Sequence, residues 1–316
     1  MSSRILVIKL GALGDIVQAL GPFAAIRRHH ADDEITLLTT LPFAEFLKRS
    51  PYFDQVWVDP RASWRRVDAV LALRRRLADG DFARVYDLQT SRRSGRYHLF
   101  WPQPRPEWSG IVSGCSHPDP DPNRDHIHTL DRQAGQLRGA SIAAVPAPDL
   151  SWVVADVARF GLPWPYALLA PGAAAHRPEK RWPEAAFAAL ARDLLARGVT
   201  PALLGTAEER PILRAIVAAA PGTRDLAGET SLEELVGLGR DAALSVGNDT
   251  GPMHLLTVAG SPAIVLFSHA SDPALCAPRG PRVEILRAPS LAELPVETVL
   301  QRVPSLLREP ADAAQS

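Results

Sequence analysis

One short stretch has the residue types and spacing of an anion-binding turn. It runs Gly247-Asn248-Asp249-Thr250-Gly251-Pro252-Met253-His254 and lies between two apolar runs, 242–246 and 255–259. This order predicts a strand, a tight turn and a helix of a parallel α/β unit. Pro252 suits the first helical position, and Thr250 or Gly251 would cap the helix. Free N–H groups at the positive end of a helix dipole bind anions such as phosphate. The alternative is an ordinary turn capped by Asp249 and Thr250.

A second polar loop, 176–183, carries Lys180 and Arg181 just before a helix that Pro183 is predicted to open. Lys180 is one of only three lysines among 35 basic residues. In a chain where arginine is the usual cation, a lysine raises the question whether this position needs a compact point charge. Cations at a helix N-terminus are unfavourable unless an anion lies between them and the helix. We therefore expect one phosphate-bearing ligand between this loop and the 248–254 turn. The alternative is that both side chains point into water.

Two further carboxylate sites lie at predicted strand ends. Glu208 and Glu209 follow the strand predicted at 199–204, where a carboxylate can accept hydrogen bonds from ribose hydroxyls. Asp15 ends a glycine-bearing turn, 11–15, after the first predicted strand. A carboxylate there can take the proton of an attacking hydroxyl. The alternatives are solvated first-turn acids for both glutamates and a helix N-cap for Asp15.

Two clusters of arginine lie in the first half of the chain. Arg61, Arg65 and Arg66 flank Trp64, and Arg92 and Arg93 follow a strand predicted at 84–88. Ligands of open parallel sheets bind at the carboxyl ends of strands, so these loops are candidates for holding an anionic partner. The alternative for both clusters is a solvated helix face.

The elements that must position these residues form two successive α/β halves. Predicted strands lie at 4–10, 34–39, 55–58, 84–88, 166–170, 199–204, 242–246, 263–267 and 283–286. Predicted helices include 16–29 and 291–307, the latter interrupted at Pro304. The proline-rich stretch 101–125 predicts a long irregular loop. A domain boundary is expected between 144 and 165, and the chain from Glu309 is expected to be disordered.

Composition is that of a globular protein without a global charge. The 316 residues are 46% hydrophobic and carry no net charge, so no overall field favours nucleic acid or a membrane. Two distant cysteines fit no metal-ligand pattern, and no signal peptide is evident. The first turn has the spacing G-x-x-G instead of the dinucleotide fingerprint G-x-G-x-x-G, which disfavours a nicotinamide-dependent oxidoreductase.

Three motifs taken together resemble glycosyltransferase family 9, the ADP-heptose:lipopolysaccharide heptosyltransferases. They are 9–15 (KLGALGD), Pro171-Gly172 followed by Lys180-Arg181-Trp182-Pro183, and 248–254 (NDTGPMH). The resemblance implies the α/β GT-B fold, in which two Rossmann-like domains with parallel sheets face across a cleft. It implies an acceptor-binding domain over 1–155, a nucleotide-sugar-binding domain over 156–308, and a disordered tail over 309–316.

The resemblance also assigns roles. Asp15 matches the general base, and Glu209 matches the ribose contact less closely. The other matches to donor-binding positions are Lys180, Asp249, Thr250, Gly251 and His254. Acceptor contacts are expected from Lys9, Arg61, Arg65, Arg66, Gln89 and Arg92. The implied enzyme is inverting and uses neither a metal nor a cofactor beyond its donor, expected to be ADP-heptose.

The implied acceptor is a lipid-linked or lipopolysaccharide-core sugar, and no nucleic acid is expected to bind. The implied location is the cytoplasm, with contact at the inner membrane surface allowed. One departure is Ala173-Ala174-Ala175, because family members often carry hydroxyl residues there. The alternatives are a different nucleotide-sugar donor and a noncatalytic nucleotide-sugar-binding protein.

Overall fold

Each half of the chain folds around a six-stranded parallel sheet. The computed structural model describes residues 2–173 and 177–309. It divides into two units, Met1–Trp152 and Val153–Ser316. The predicted disordered tail lies outside the described residues apart from Glu309, as do Ala174 and Ala175 of the alanine run.

The first unit has its strands in the spatial order β3-β2-β1-β4-β5-β6. These strands are β1 Arg4–Ile8, β2 Glu34–Thr39, β3 Gln55–Val58, β4 Arg84–Asp87, β5 Glu107–Gly110 and β6 His117–Pro118. Its α-helices are α1 Leu13–Gln18, α2 Leu20–His29, α3 Leu41–Lys48, α4 Val67–Ala78, α5 Arg92–Tyr97 and α6 Thr129–Gly139, with 3-10 turns at His98–Phe100 and Arg124–His126.

The second unit repeats this order as β12-β11-β10-β7-β8-β9. Its strands are β7 Tyr166–Ala170, β8 Thr200–Leu203, β9 Arg224–Asp225, β10 Leu244–Asn248, β11 Ala263–Phe267 and β12 Val283–Arg287. Its α-helices are α7 Glu184–Ala196, α8 Arg210–Ala219, α9 Leu232–Asp241, α10 Gly251–Val258, α11 Pro273–Cys276, α12 Val296–Leu300 and α13 Val303–Leu306. Its 3-10 turns are Ala158–Phe160, Pro178–Lys180, Ala207–Glu209 and Leu291–Glu293.

Both units therefore have the Rossmann strand order, in which the first and fourth strands are neighbours. In such sheets the chain leaves those two strands toward opposite faces, and a crevice opens at their carboxyl ends. The crevice lies between β1 and β4 in the first unit and between β7 and β10 in the second. Strands β7, β10 and β11 are buried along their whole length, because helices cover both faces of the sheet.

Three sequence predictions of secondary structure were wrong in part. The predicted helix 16–29 is two helices that meet at Ala19, because Pro22 has no N–H to continue the ladder across the junction. The predicted loop 101–125 contains β5 and β6, with Trp108 fully buried. The C-terminal helix breaks before Pro295, while Pro304 fits in the first turn of α13.

Candidate functional site

Asn248 joins the two loops that border the crevice of the second unit. It ends β10 with its side chain fully buried. Its Nδ2 donates to the carbonyls of Pro171 at 2.8 Å and Gly172 at 3.3 Å. Its Oδ1 accepts from the Trp182 N–H at 3.0 Å, just before α7 begins. One amide thus fixes the loop after β7, the entry to α7 and the turn after β10 relative to each other.

We expect Asn248→Ala to lower the free energy of unfolding of the second unit by at least about 2 kcal/mol. Each buried backbone group left without a partner costs roughly 1–3 kcal/mol, and the substitution orphans groups on Pro171, Gly172 and Trp182. Urea unfolding followed by tryptophan fluorescence measures this, since Trp182 is buried. Ser245→Ala, which removes one buried hydroxyl pair from the same strand, is the matched control and should cost about 1 kcal/mol. Equal effects would show that Asn248 does not organise the loops.

Lys180 and Asp249 form an ion pair at this crevice. Lys180 Nζ lies 2.5 Å from Asp249 Oδ2, and the Ser271 hydroxyl donates to the same oxygen at 2.6 Å. The anion opposite Lys180 that the sequence led us to expect is thus supplied, in this structure, by Asp249. The side chains of Lys180 and Asp249 are 18% and 8% exposed, so the pair is largely buried and the lysine is the more accessible of the two.

The carboxylate of Asp249 is held ionised. Burial opposes its charge, but the nearby His254 side chain and the hydrogen bonds donated by Lys180 and Ser271 outweigh burial and hold its pKa at about 2. His254 is buried in the first turns of α10, with Nε2 3.9 Å from Asp249 Oδ1. Donor-binding predictions for Lys180, Asp249 and His254 therefore fall on one connected cluster.

The N-terminus of α10 faces this cluster as the turn motif predicted. Thr250 is the N-cap in extended conformation, Gly251 is the first helical residue and Pro252 the second. The Thr250 side chain does not cap the helix, and its buried Oγ1 has no hydrogen-bond partner within the described residues. The first N–H groups of α10 and the unpaired Thr250 hydroxyl thus follow directly in the chain after Asp249, the partner of Lys180, which is an arrangement suited to phosphate oxygens.

Glu209 lies at the same edge of the sheet. Its Oε2 accepts from the Thr206 N–H at 2.8 Å, which closes the turn after β8. A Cβ placed on Gly172 would come within 2.0 Å of Glu209 Oε1, so only glycine admits the carboxylate so close to the loop after β7. Glu208 lies on the same turn but is exposed. The structure therefore places Glu209, and not Glu208, against the crevice.

In the first unit, different residues connect the two loops that border the crevice. The Leu10 N–H donates to Gln89 Oε1 at 2.8 Å, and Lys9 Nζ donates to the Leu88 carbonyl at 3.1 Å. Lys9 is only 4% exposed, and burial lowers its pKa while the carboxylate of Asp15 acts in the opposite sense. Lys9 and Gln89, predicted as acceptor contacts, are thus used to connect the loops after β1 and β4. Their contact with an acceptor stays a prediction.

Asp15 is not an N-cap. Ala12 occupies that position, and Asp15 lies in the first turn of α1, where its Oδ2 accepts from the Ala12 N–H at 3.1 Å. Its side chain is half-buried, so part of the carboxylate faces solvent at the carboxyl edge of the sheet. This placement leaves an oxygen available to a ligand while the backbone holds the other, which is compatible with the predicted base.

The loop after β4 stores backbone strain. Thr90 has a φ of +44°, a left-handed conformation that is a genuine outlier for a β-branched residue. The buried Asp87 holds it there, because Oδ1 accepts from the N–H groups of Gln89 and Thr90. Burial raises the pKa of Asp87 to about 6. Strain of this kind persists at binding sites because surrounding contacts enforce it.

The structure brings the predicted basic residues of two loops together. Arg93 Nη2 donates to the Ala62 carbonyl at 2.9 Å, and its guanidinium lies over the Trp64 ring at 5.1 Å. The loop that carries Arg61, Arg65 and Arg66 is thereby fastened to α5, which begins at Arg92. All four of these arginines are exposed, and Arg66 pairs with Asp68 at 3.0 Å.

Sequence reasoning missed two members of the second-unit cluster. Ser271 binds Asp249, and Arg177 links the Lys180 loop to the loop after β11 by donating to the Ala270 carbonyl at 2.6 Å. Their only signal is position, since Ser271 follows a strand that ends at the same edge. The described residues contain no group of three His, Cys, Asp or Glu side chains arranged to hold a metal ion.

A family model described as glycosyltransferase family 9 (heptosyltransferase) matches residues 142–302, just over half of the chain. The chain belongs to glycosyltransferase family 9. The match covers the Asn248 loops, the Lys180–Asp249 pair and the start of α10, and it confirms the family that the motifs predicted. The family match does not reach most of the first unit, so Asp15 and the arginine loops lie outside it.

Curated and solved relatives agree with this assignment. Lipooligosaccharide heptosyltransferase 2 of Haemophilus influenzae is 35% identical over 115 residues, 35% of this chain and 33% of the relative. The structure of Escherichia coli ADP-heptose lps heptosyltransferase II has a TM-score of 0.79 at 22% identity, covering 96% of this chain and 98% of that one. A glycosyl transferase family 9 structure from Veillonella parvula has a TM-score of 0.82 at 18% identity, covering 99% and 98%.

These likenesses differ in what they support. The sequence match spans only about a third of the H. influenzae protein. The structural matches extend over nearly the whole chain, and they confirm the predicted GT-B fold. No helix within 2–173 or 177–309 has the length and apolar character needed to cross a bilayer.

Proposed function

We propose that this chain is an inverting glycosyltransferase that moves a heptosyl residue from ADP-heptose to a sugar of the lipopolysaccharide inner core. The observation that carries the proposal is the cluster in the second unit, where Lys180, Asp249 and the N-terminus of α10 meet at the crevice between β7 and β10. The family model matches that same segment, and the E. coli relative is named for ADP-heptose.

The donor's diphosphate would lie beside Lys180 and the first N–H groups of α10. A phosphate oxygen there would also be close to the buried hydroxyl of Thr250, which has no hydrogen-bond partner within the described residues. This hydroxyl can replace the hydroxyl contacts that the alanines after Gly172 do not offer. Glu209 lies next to Gly172 and would accept hydrogen bonds from ribose hydroxyls.

The chemical step needs stabilisation of a leaving diphosphate and removal of one proton. As the bond from the anomeric carbon to ADP breaks, negative charge grows on the leaving oxygen, and the lysine and helix N-terminus offset it. Asp15 takes the proton of the acceptor hydroxyl as that oxygen forms its bond to the anomeric carbon. Attack from the side opposite ADP inverts the configuration. We propose that no metal or further cofactor takes part.

The acceptor is proposed to bind the first unit, through Gln89, Lys9 and the exposed arginines of the loops after β3 and β4. A lipopolysaccharide core carries phosphates and acidic sugars, for which exposed guanidinium groups are suitable partners. The proposed location is the cytoplasm, where such an acceptor would be met on the inner face of the membrane.

Incubation with a panel of deacylated lipopolysaccharide cores and several nucleotide sugars, followed by mass spectrometry, tests the proposal. We expect one core to gain the mass of one heptosyl residue with ADP-heptose as donor. Gain of another sugar would replace the donor in the proposal. Binding of ADP-heptose without transfer to any core would indicate a noncatalytic binding protein.

Acceptor binding should weaken as salt is raised. Exposed charge pairs are screened by ions, and the acceptor contacts are assigned to exposed arginines. We expect the acceptor KM to rise with sodium chloride while the KM for ADP-heptose changes less, because the Lys180 pocket is largely buried. Steady-state kinetics at fixed pH measure both, with circular dichroism as the control for folding. A flat acceptor KM would mean that these arginines face only solvent.

A further inference from the structure

Charge is unevenly distributed along a chain that is neutral overall. Segment 61–105 has eleven arginines, four aspartates and neither lysine nor glutamate, which gives it a net charge of +7. The rest of the chain therefore carries −7. Such segregation creates a local positive field that a neutral net charge conceals, and it suits an anionic partner.

Three large apolar side chains protrude from this positive segment. Val67 is 59% exposed, Leu71 40% and Leu99 62%. Val67, Leu71 and Arg74 follow each other at helical spacing on one side of α4. Arg74 Nε donates to the Phe100 carbonyl at 3.3 Å, so this side of α4 borders the 3-10 turn that carries Leu99. The three side chains therefore belong to one continuous face.

The other side of α4 is occupied. Arg76 lies with its guanidinium 4.3 Å from the Trp57 ring, and Leu73 and Leu77 are buried in the core. The exposure of Val67 and Leu71 is thus not a consequence of a helix lacking core contacts. The helix already has a packed face, and it presents a second apolar strip to solvent.

A tryptophan framed by arginines completes the face. Trp64 is half-buried, with its ring centroid 6.4 Å from that of Phe100. The guanidinium groups of Arg93 and Arg96 each lie 5.1 Å from the Trp64 ring. Surfaces that lie at a membrane interface typically combine an indole, protruding aliphatic side chains and bordering arginines, as this face does.

We propose that this α4 face, made of Trp64, Val67, Leu71 and Leu99 with the exposed Arg75 and Arg96, docks on the surface of an anionic phospholipid bilayer. The arginines meet the headgroup phosphates, and the aliphatic side chains and the indole enter the boundary between headgroups and acyl chains. A nucleic acid or a polyanionic sugar would use the arginines but would give the aliphatic side chains no partner. The charge and the apolar strip together favour the bilayer.

Sedimentation with vesicles tests this face without any acceptor or donor. We expect the protein to bind phosphatidylcholine vesicles that contain phosphatidylglycerol, and not pure phosphatidylcholine. The pair Leu71→Asp and Leu99→Asp should lower the partition coefficient by about tenfold or more, because apolar burial is lost and like charges are introduced. The pair Arg75→Gln and Arg96→Gln should weaken binding and flatten its salt dependence. Val154→Asp, at an 87% exposed position in the other unit, is the matched control and should bind as wild type.

Any of three results would overturn the proposal. The wild-type protein could fail to bind the anionic vesicles, Val154→Asp could lose as much vesicle binding as the Leu71 and Leu99 variant, or that variant could bind as well as wild type. The last would identify a general anion-binding surface. Turnover of a water-soluble deacylated core should be normal in that variant, since neither leucine is assigned to either substrate. Failure of the bilayer proposal is therefore distinguishable from failure of the proposed reaction.

Discussion

Replacement of Asp15 by Asn should reduce kcat by about 100-fold or more, because a positioned general base typically contributes at least that factor. The amide cannot take the proton of the acceptor hydroxyl, but its oxygen can still accept from the Ala12 N–H, as Asp15 Oδ2 does at 3.1 Å. The start of α1 should therefore persist. Steady-state kinetics with ADP-heptose and the identified core measure the loss.

Donor affinity is the control for this variant. Asp15 belongs to the first unit and is assigned no donor contact, so calorimetry should give an ADP-heptose Kd within about twofold of wild type. The melting temperature should also be unchanged. A variant that keeps more than about a tenth of the wild-type kcat would remove Asp15 from the chemical step.

Replacement of Lys180 by Ala should weaken ADP and ADP-heptose binding together, by about 1.5–3 kcal/mol, the contribution of one charge-assisted hydrogen bond. Adenosine has no phosphates and should bind both proteins alike. Calorimetry with the three ligands measures this. Equal weakening for adenosine would mean that Lys180 supports the loop, and unchanged ADP affinity would place the phosphates elsewhere.

The ion pair with Asp249 calls for a second control, because Lys180→Ala also leaves a buried carboxylate without its cation. Asp249→Asn removes that charge, so the double variant separates the two effects. If Lys180 binds phosphate directly, the double variant stays weak toward ADP. Recovery of ADP affinity in the double variant would show that Lys180 serves only to neutralise Asp249.

Much of the sheet architecture could be predicted from the sequence. Strands β2, β7 and β11 have the predicted bounds. Strands β7 and β11 are continuous apolar runs between polar turns, and the interior of β2 is apolar apart from Thr36. Strand β5 was missed, since its four residues, 107–110, form no apolar run and three prolines lie within the five residues before it. This segment becomes a strand because it pairs with the edge of β4. Such pairing is a tertiary contact, and the local sequence pattern does not predict it.

The contact partners of the predicted site residues depend on the order of the strands in the sheet. Lys180 and Asp249 are 69 residues apart, and they meet because β7 and β10 are neighbours in the sheet. Lysine is rare in this sequence, and Lys180 lies just before a helix. These two features predict an anion beside Lys180 but do not identify Asp249. The only signal for Ser271 is its position after β11, and its role depends on β11 ending at the same edge of the sheet.

We propose that the cluster around Lys180 and Asp249 presents ADP-heptose for transfer with inversion. Nuclear magnetic resonance of the reaction with the identified core tests it most directly, by following ADP release and the one-bond C1–H1 coupling of the transferred heptose. We expect one ADP per heptosyl residue transferred and an anomeric configuration opposite to that of the donor. A product with the donor's configuration, or transfer without release of ADP, would contradict it.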